Sequence, residues 1–190
     1  MIELPKERMS EAEVSLRFAC GLIESGAAVG EVDVALDGAQ IRTGETEHFP
    51  IHEFLEACGW VLGNGNGTWR GNYTHENHRI GFRVHSSSGT GDVVAPLSNG
   101  RTLRVESKKG TLVRSRSSSE YPLLREALGQ LLTVEEANPT DILAVAVPFS
   151  EKFEALAVRW RKAPLIVRAG IHIATVDRNN EIHGLESIGI

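Results

Sequence analysis

Gly91-Asp92-Val93-Val94-Ala95, then Pro96-Leu97-Ser98-Asn99-Gly100, then Leu103-Arg104-Val105-Glu106-Ser107-Lys108-Lys109-Gly110: this stretch decides how the chain is read. Two apolar-rich extended runs are joined by a turn that carries Asn-Gly, a strong hairpin signal. Side chains alternate between the faces of a strand, so Glu106 and Lys108 point the same way. A tight hairpin brings Asp92 beside them. Two carboxylates can hold a hard divalent cation, and a neighbouring ammonium can hold a phosphate or a water. That is a minimal toolkit for metal-dependent phosphodiester cleavage.

Working outward, the motif is followed by a Ser/Arg-rich loop and then by a helix over Tyr121–Leu132. Its apolar stripe is Ala127, Leu128, Leu131 and Leu132, with Gln130 at the edge. An apolar strand follows, Ile142–Val147. Upstream, Ser10 to Ser25 reads as a helix, with Ser10 as N-cap, Glu11 and Glu13 in the first turn and Val14, Phe18, Leu22 and Ile23 on one stripe. Ala28–Leu36 reads as a strand and Pro50–Cys58 as a short helix ending at Gly59. Gly63-Asn64-Gly65-Asn66-Gly67 is a turn, and its spacing fits no phosphate-binding loop. Trp69–Tyr73, Arg79–His85 and the motif hairpin read as successive antiparallel strands. Glu151–Arg161 reads as a helix, and Leu165–Val167 and Ile171–Val176 as strands, with Arg178-Asn179-Asn180 turning before Ile182. The alternation of strands and helices predicts an α/β fold.

The segment from about Arg79 to Val147 resembles the PD-(D/E)XK nuclease superfamily, the restriction-endonuclease-like fold. The core of that family runs helix, three antiparallel strands, helix, strand. It carries an Asp at the start of the second strand and Glu-x-Lys on the third, positions matched here by Asp92, Glu106 and Lys108. Many members add a Gln on the following helix, matched by Gln130; the usual Pro before the Asp is replaced by Gly91. The resemblance covers about a third of the chain and implies a mixed central sheet flanked by helices. On this reading residues 61–190 form the nuclease-like core of a single domain spanning 1–190, and residues 1–60 form an N-terminal helix-strand elaboration.

The resemblance further implies Mg²⁺ or Mn²⁺ held by Asp92, Glu106 and the Ser107 carbonyl, with Lys108 assisting the attacking water. Gln130 joins the catalytic set. Some members place a Glu from an upstream helix at the metal; Glu53, Glu56, Glu13 and Glu24 are candidates, and Glu53 is put first. Arg104 shares the strand face of Glu106 and, with Lys109, Arg114 and Arg116, is expected to hold a nucleic-acid backbone, DNA before RNA. Between Arg101 and Arg125 seven basic residues face only Glu106 and Glu120, although the whole chain carries a net charge of −5.

That overall charge argues against indiscriminate nucleic-acid binding. It motivates the rival reading: a non-catalytic module of the same fold, or a subunit of a larger nucleic-acid-processing or defence complex, as a homodimer or with a partner protein that supplies specificity. The chain has 190 residues, enough for one domain with a real core. Its two cysteines, Cys20 and Cys58, show no metal-binding or redox spacing and read as thiols in a reducing compartment. No apolar leader or membrane span is visible, and the expected location is cytoplasmic. His75-Glu76-Asn77-His78 reads as a polar hairpin tip, and His85 as a surface or packed histidine.

Overall fold

The computed structural model describes residues 4–63, 68–113 and 119–190. In chain order the strands are β1 (Arg8–Met9), β2 (Val32–Ala35), β3 (Arg42–Thr43), β4 (Thr46–Glu47), β5 (Trp60–Leu62), β6 (Gly71–His75) and β7 (Phe82–His85). They continue with β8 (Val93–Pro96), β9 (Thr102–Ser107), β10 (Gly110–Thr111), β11 (Ile142–Pro148), β12 (Ile171–Val176) and β13 (Ile182–His183). The helices are α1 (Glu11–Glu24), α2 (Gly38–Ile41), α3 (Ile51–Ala57), α4 (Glu120–Leu131), α5 (Glu151–Trp160) and α6 (Pro164–Ala169).

Nine strands form one mixed sheet in the order β13-β12-β11-β9-β8-β2-β7-β6-β5. The β8–β9 hairpin is antiparallel, and β11 runs parallel to both β9 and β12. Parallel neighbours need crossovers, and α4 supplies the one from β9 to β11, α5 and α6 the one from β11 to β12. The chain is therefore α/β, with a large mixed sheet flanked by helices. Among the described residues no helix is long and apolar enough to cross a membrane.

Helix α1 covers one face. Ser10 caps it by accepting from the Glu13 amide at 3.1 Å, and Val14, Phe18 and Leu22 are fully buried. They meet Val32, Val34, Val93, Ala95, Leu103 and Val105, the inward halves of alternating strands. Each such Val, Leu or Phe side chain contributes about 1.5–3 kcal/mol on leaving water. On the opposite face Leu124, Ala127 and Leu131 of α4 pack with Phe153 and Ala157 of α5 over Val145, Val147, Ile171 and Ile173.

Three expectations are corrected. Residues 1–60 are not an appendage: β2 sits inside the sheet between β8 and β7, and α1 covers the sheet's centre. The strand Arg79–His85, realised as β7, does not neighbour the motif hairpin; it pairs in parallel with β2, which separates the two. Leu165–Val167 lies in helix α6, where Pro164 opens the first turn and Gly170, at φ +66°, closes the last. The Gly63–Gly67 turn falls largely outside the described residues.

The two chain ends are tied through a buried carboxylate. Glu13, only 1% exposed, accepts from Arg17 Nε at 2.9 Å and from Arg178 Nε at 3.0 Å. Arg178 also donates to the carbonyls of Pro5 and Arg8. Removing one partner of a buried pair leaves an uncompensated charge, so Glu13→Ala is expected to lower unfolding free energy by about 3 kcal/mol or more in urea titration. Arg83→Ala, which breaks the exposed Asp33–Arg83 pair, is expected to cost less than about 1 kcal/mol in the same titration.

Candidate active site

The hairpin register places the central residues. Val93 pairs with Val105 and Val94 with Arg104, which sets Asp92, just before β8, across from Glu106. The Asp92 amide donates to the Val105 carbonyl at 2.8 Å, and the Ala35 amide of β2 donates to the Asp92 carbonyl at 2.8 Å. The Asp92 side chain accepts from the Ser107 amide at 2.7 Å. The Glu106 carboxyl lies close enough for the two charges to act on each other.

Gly91 explains the missing proline. Its φ is +103°, a backbone angle closed to the proline ring, and a Cβ there would stand 3.3 Å from the Val105 carbonyl oxygen.

Burial, then the charge of Glu106, then that of Glu11 push the Asp92 carboxyl up to about 8, against the Ser107 amide and the Lys108 ammonium. Glu106 is also raised, by burial first and by Glu11, with Lys108 and the bond to Asp92 opposing. Each carboxyl therefore holds its proton more tightly than a free one when no cation is near.

Lys108 stands at the same end of β9 and is only 4% exposed. Its backbone amide donates to the Ala146 carbonyl, and its Nζ lies 3.0 Å from Glu11 Oε1 and 3.8 Å from Glu126 Oε1. Glu11 begins α1 directly after the cap and also accepts from Gln40 Nε2 at 3.0 Å. The structure thus brings together Asp92, Glu106, Lys108 and a residue that sequence reasoning passed over. Glu11 was seen only as a favourable first-turn charge, and its contact with Lys108 spans 97 positions.

Asp92 and Glu106 open on a cleft of about 460 Å³. Ser86, Ser87 and Ser88 form one wall, Gln130 and Thr133 from the end of α4 the other, and Asp37 lies on its lining. Gln130 therefore reaches the cleft.

Arg104 does not serve as a free phosphate-binding cation. It is buried, with its Nε 2.6 Å from Asp141 Oδ2 and its Nη1 3.0 Å from the Thr90 carbonyl. Against the pull of burial, that guanidinium and the Asn138 amide hold the Asp141 carboxyl below its ordinary range. Glu53 is exposed on α3, which packs beside β5 at the far edge of the sheet, and it does not line the cleft. Lys109 is exposed; Arg114 and Arg116 lie outside the described residues.

Among the described residues no three His, Cys, Asp or Glu side chains converge as a ready metal cage. The donor set that is present, two adjacent carboxylates at an open cleft, nonetheless suits Mg²⁺, which keeps several waters and takes one or two protein carboxylates with substrate phosphates. No protein-family model matches the chain, no curated protein matches it, and no solved structure matches it.

The raised Asp92 carboxyl gives a pH-dependent expectation. A carboxyl whose folded value exceeds its unfolded value is neutral and harmless in acid, and it destabilises progressively as pH rises from about 4 to about 8. In chelator, Asp92→Asn is expected to gain little at pH 4 and about 1–3 kcal/mol over wild type at pH 8 and above. Denaturant titration across that range checks it; a constant difference between the two proteins contradicts it.

Proposed function

We propose that the protein is a metal-dependent nuclease hydrolysing phosphodiester bonds, with DNA its first expected substrate. The observation that carries this reading is the facing pair Asp92 and Glu106, held in register at the mouth of a cleft with the Lys108 ammonium at the same strand end. A binding module gains nothing from two adjacent carboxylates facing a polyanion. A hydrolase uses them, because a divalent cation there lowers the pKa of a bound water and offsets charge on the phosphate.

The order of elements supports the restriction-endonuclease-like reading. Helix, three antiparallel strands, helix and strand correspond to α1, β2, β8, β9, α4 and β11, adjacent in the sheet as β2-β8-β9-β11. The first strand is then Val32–Ala35, with residues 36–91 as an insertion between the first two strands.

The roles of the residues follow from their contacts. Asp92 and Glu106, with the Ser107 carbonyl, would hold Mg²⁺ or Mn²⁺. Asp92 is fixed by the Ser107 amide and by its own backbone bonds to β9 and β2. Lys108 would orient the attacking water or the non-bridging phosphate oxygen. Glu11 holds the Lys108 ammonium in place. Gln130 is placed to donate to substrate or water from the opposite wall. The rival reading, a catalytically silent module, draws on one observation: the Lys108 ammonium is already paired with Glu11.

Metal separates the two. Mg²⁺ or Mn²⁺ is expected to raise the melting temperature of wild type and to leave Asp92→Asn unmoved, since a ligand of the folded state alone stabilises it by mass action. Lys108→Ala is expected to lower kcat on an oligonucleotide by about 10²–10⁴-fold, the range for a group assisting proton transfer. Glu11→Gln, which keeps the hydrogen bond and drops the charge, is expected to lower kcat about tenfold with little change in KM. Equal metal-induced shifts in wild type and Asp92→Asn, with no cleavage of single- or double-stranded DNA or RNA in either metal, would discard the nuclease in favour of the module.

A further inference from the structure

The cleft wall presents a difficulty for a polyanionic substrate. Asp37, Asp92 and Glu106 line it, and no Lys or Arg is among its lining residues. The cation that meets its edge is Arg70, from the insertion between β2 and β8. A terminal nitrogen of Arg70 comes within 3.8 Å of the place a Cβ on Gly38 would occupy, directly after Asp37. Its guanidinium carbon lies 4.7 Å from the centre of the Trp69 ring. Trp69 is itself anchored, partly buried against the main core, with its carbonyl accepting from the Tyr73 hydroxyl at 2.8 Å. Arg70 is exposed, and no ion pair or hydrogen bond of its side chain is found among the described residues.

A guanidinium stacked on an indole is held in place while its in-plane N–H donors stay free for a phosphate. Its outer face is also a plane on which a base can stack. The other arginines near the site differ: Arg104 is committed to Asp141, and Arg83 to Asp33.

Position fixes the spacing. One step beyond the β6–β7 register, Arg70 stands across from His85, which pairs with Ala35, which adjoins Asp92. Three strand steps at 4.7–4.9 Å put the Arg70 backbone about 14 Å from that of Asp92. That is about four stacked nucleotides at 3.4 Å each along one strand, and fewer if the strand is extended. The cleft, at about 460 Å³, has room for a group the size of a small ligand, such as one unstacked nucleotide.

We propose that Arg70, seated on Trp69, is the substrate-binding residue for a phosphate of single-stranded nucleic acid, two to four nucleotides from the bond placed at Asp92 and Glu106. This rests on the nuclease reading for the location of the scissile bond, and on the Arg70 geometry alone for the contact.

The test is fluorescence anisotropy with 5′-labelled oligothymidylates of two to eight nucleotides, in chelator so that binding is read without turnover. Wild-type affinity is expected to rise steeply between two and about five nucleotides. Arg70→Ala is expected to lose that increment, about tenfold in Kd, with the salt slope of log Kd smaller by about 0.7, the value for one phosphate contact on a single strand. Arg70→Lys is expected to restore most of the slope and only part of the affinity, because an ammonium keeps the charge and loses the fork and the plane. Melting curves confirm that the exposed substitution leaves the fold intact. Unchanged Kd, slope and length dependence in Arg70→Ala would overturn the proposal. Loss of the increment in a protein that cleaves nothing with any metal would uphold Arg70 and remove the nuclease reading instead.

Discussion

Two carboxylic acids facing each other at the end of a hairpin oppose folding, and much of the surrounding structure reads as the means of holding them. Without a cation, the pair is tolerable because the Ser107 amide donates to Asp92 and because the Lys108 ammonium lies close. The backbone at Asp92 is pinned on both sides, to Val105 of β9 and to Ala35 of β2. The cost of bringing like charges together is met during folding, and on the proposed reading a divalent cation would relieve it.

What the sequence discloses and what it hides divide along contact distance. The hairpin was legible because Asn99-Gly100, the apolar alternation and Glu106-x-Lys108 all lie within twenty residues of one another. The helix at Glu11–Glu24 was legible for the same reason, from a cap and a stripe. The place of β2 was not. Its neighbours β7 and β8 are about fifty and sixty residues away, and nothing in a run of Val-Asp-Val-Ala names a partner. Arg104 shows the limit of alternation: period two gives its face correctly, and the Asp141 that occupies it comes from a loop before β11. In α6 the apolar alternation of Leu165 and Val167 mimics a strand, yet both are exposed and the flanking Pro164 and Gly170 decide the geometry. A three-residue alternation cannot outweigh a helix-start proline and a left-handed stop.

Glu11 extends the same lesson into the site. Its position after an N-cap is ordinary, since acidic residues favour any first turn. What distinguishes it is that the start of α1 is laid against the end of β9, so that a first-turn carboxylate meets a strand-end ammonium. That juxtaposition comes from the packing of Val14, Phe18 and Leu22 on the sheet, and the carbonyl contacts of Arg178 fix the chain entering the helix. The apolar stripe, which looks like core and nothing else, is therefore what aims the charge.

The negative balance of the cleft then acquires a mechanical meaning. With Asp37, Asp92 and Glu106 on its walls, a phosphodiester entering without a cation meets net repulsion, and with one it meets a bridge. A fixed positive group is useful only where it does not neutralise the pair in advance. Arg70 satisfies this by standing on Trp69 about three strands away. The segment that carries Arg70 lies between β2 and β8 in the chain and returns through β7 onto the side of β2 away from β8. It lengthens the sheet on the side away from α4, leaving the acid pair flanked by helix on one hand and by strand, serine loop and arginine on the other. A single-stranded backbone laid along that second flank would have its charge countered at its two ends, by metal and by guanidinium, with the hydroxyls of Ser86 to Ser88 between.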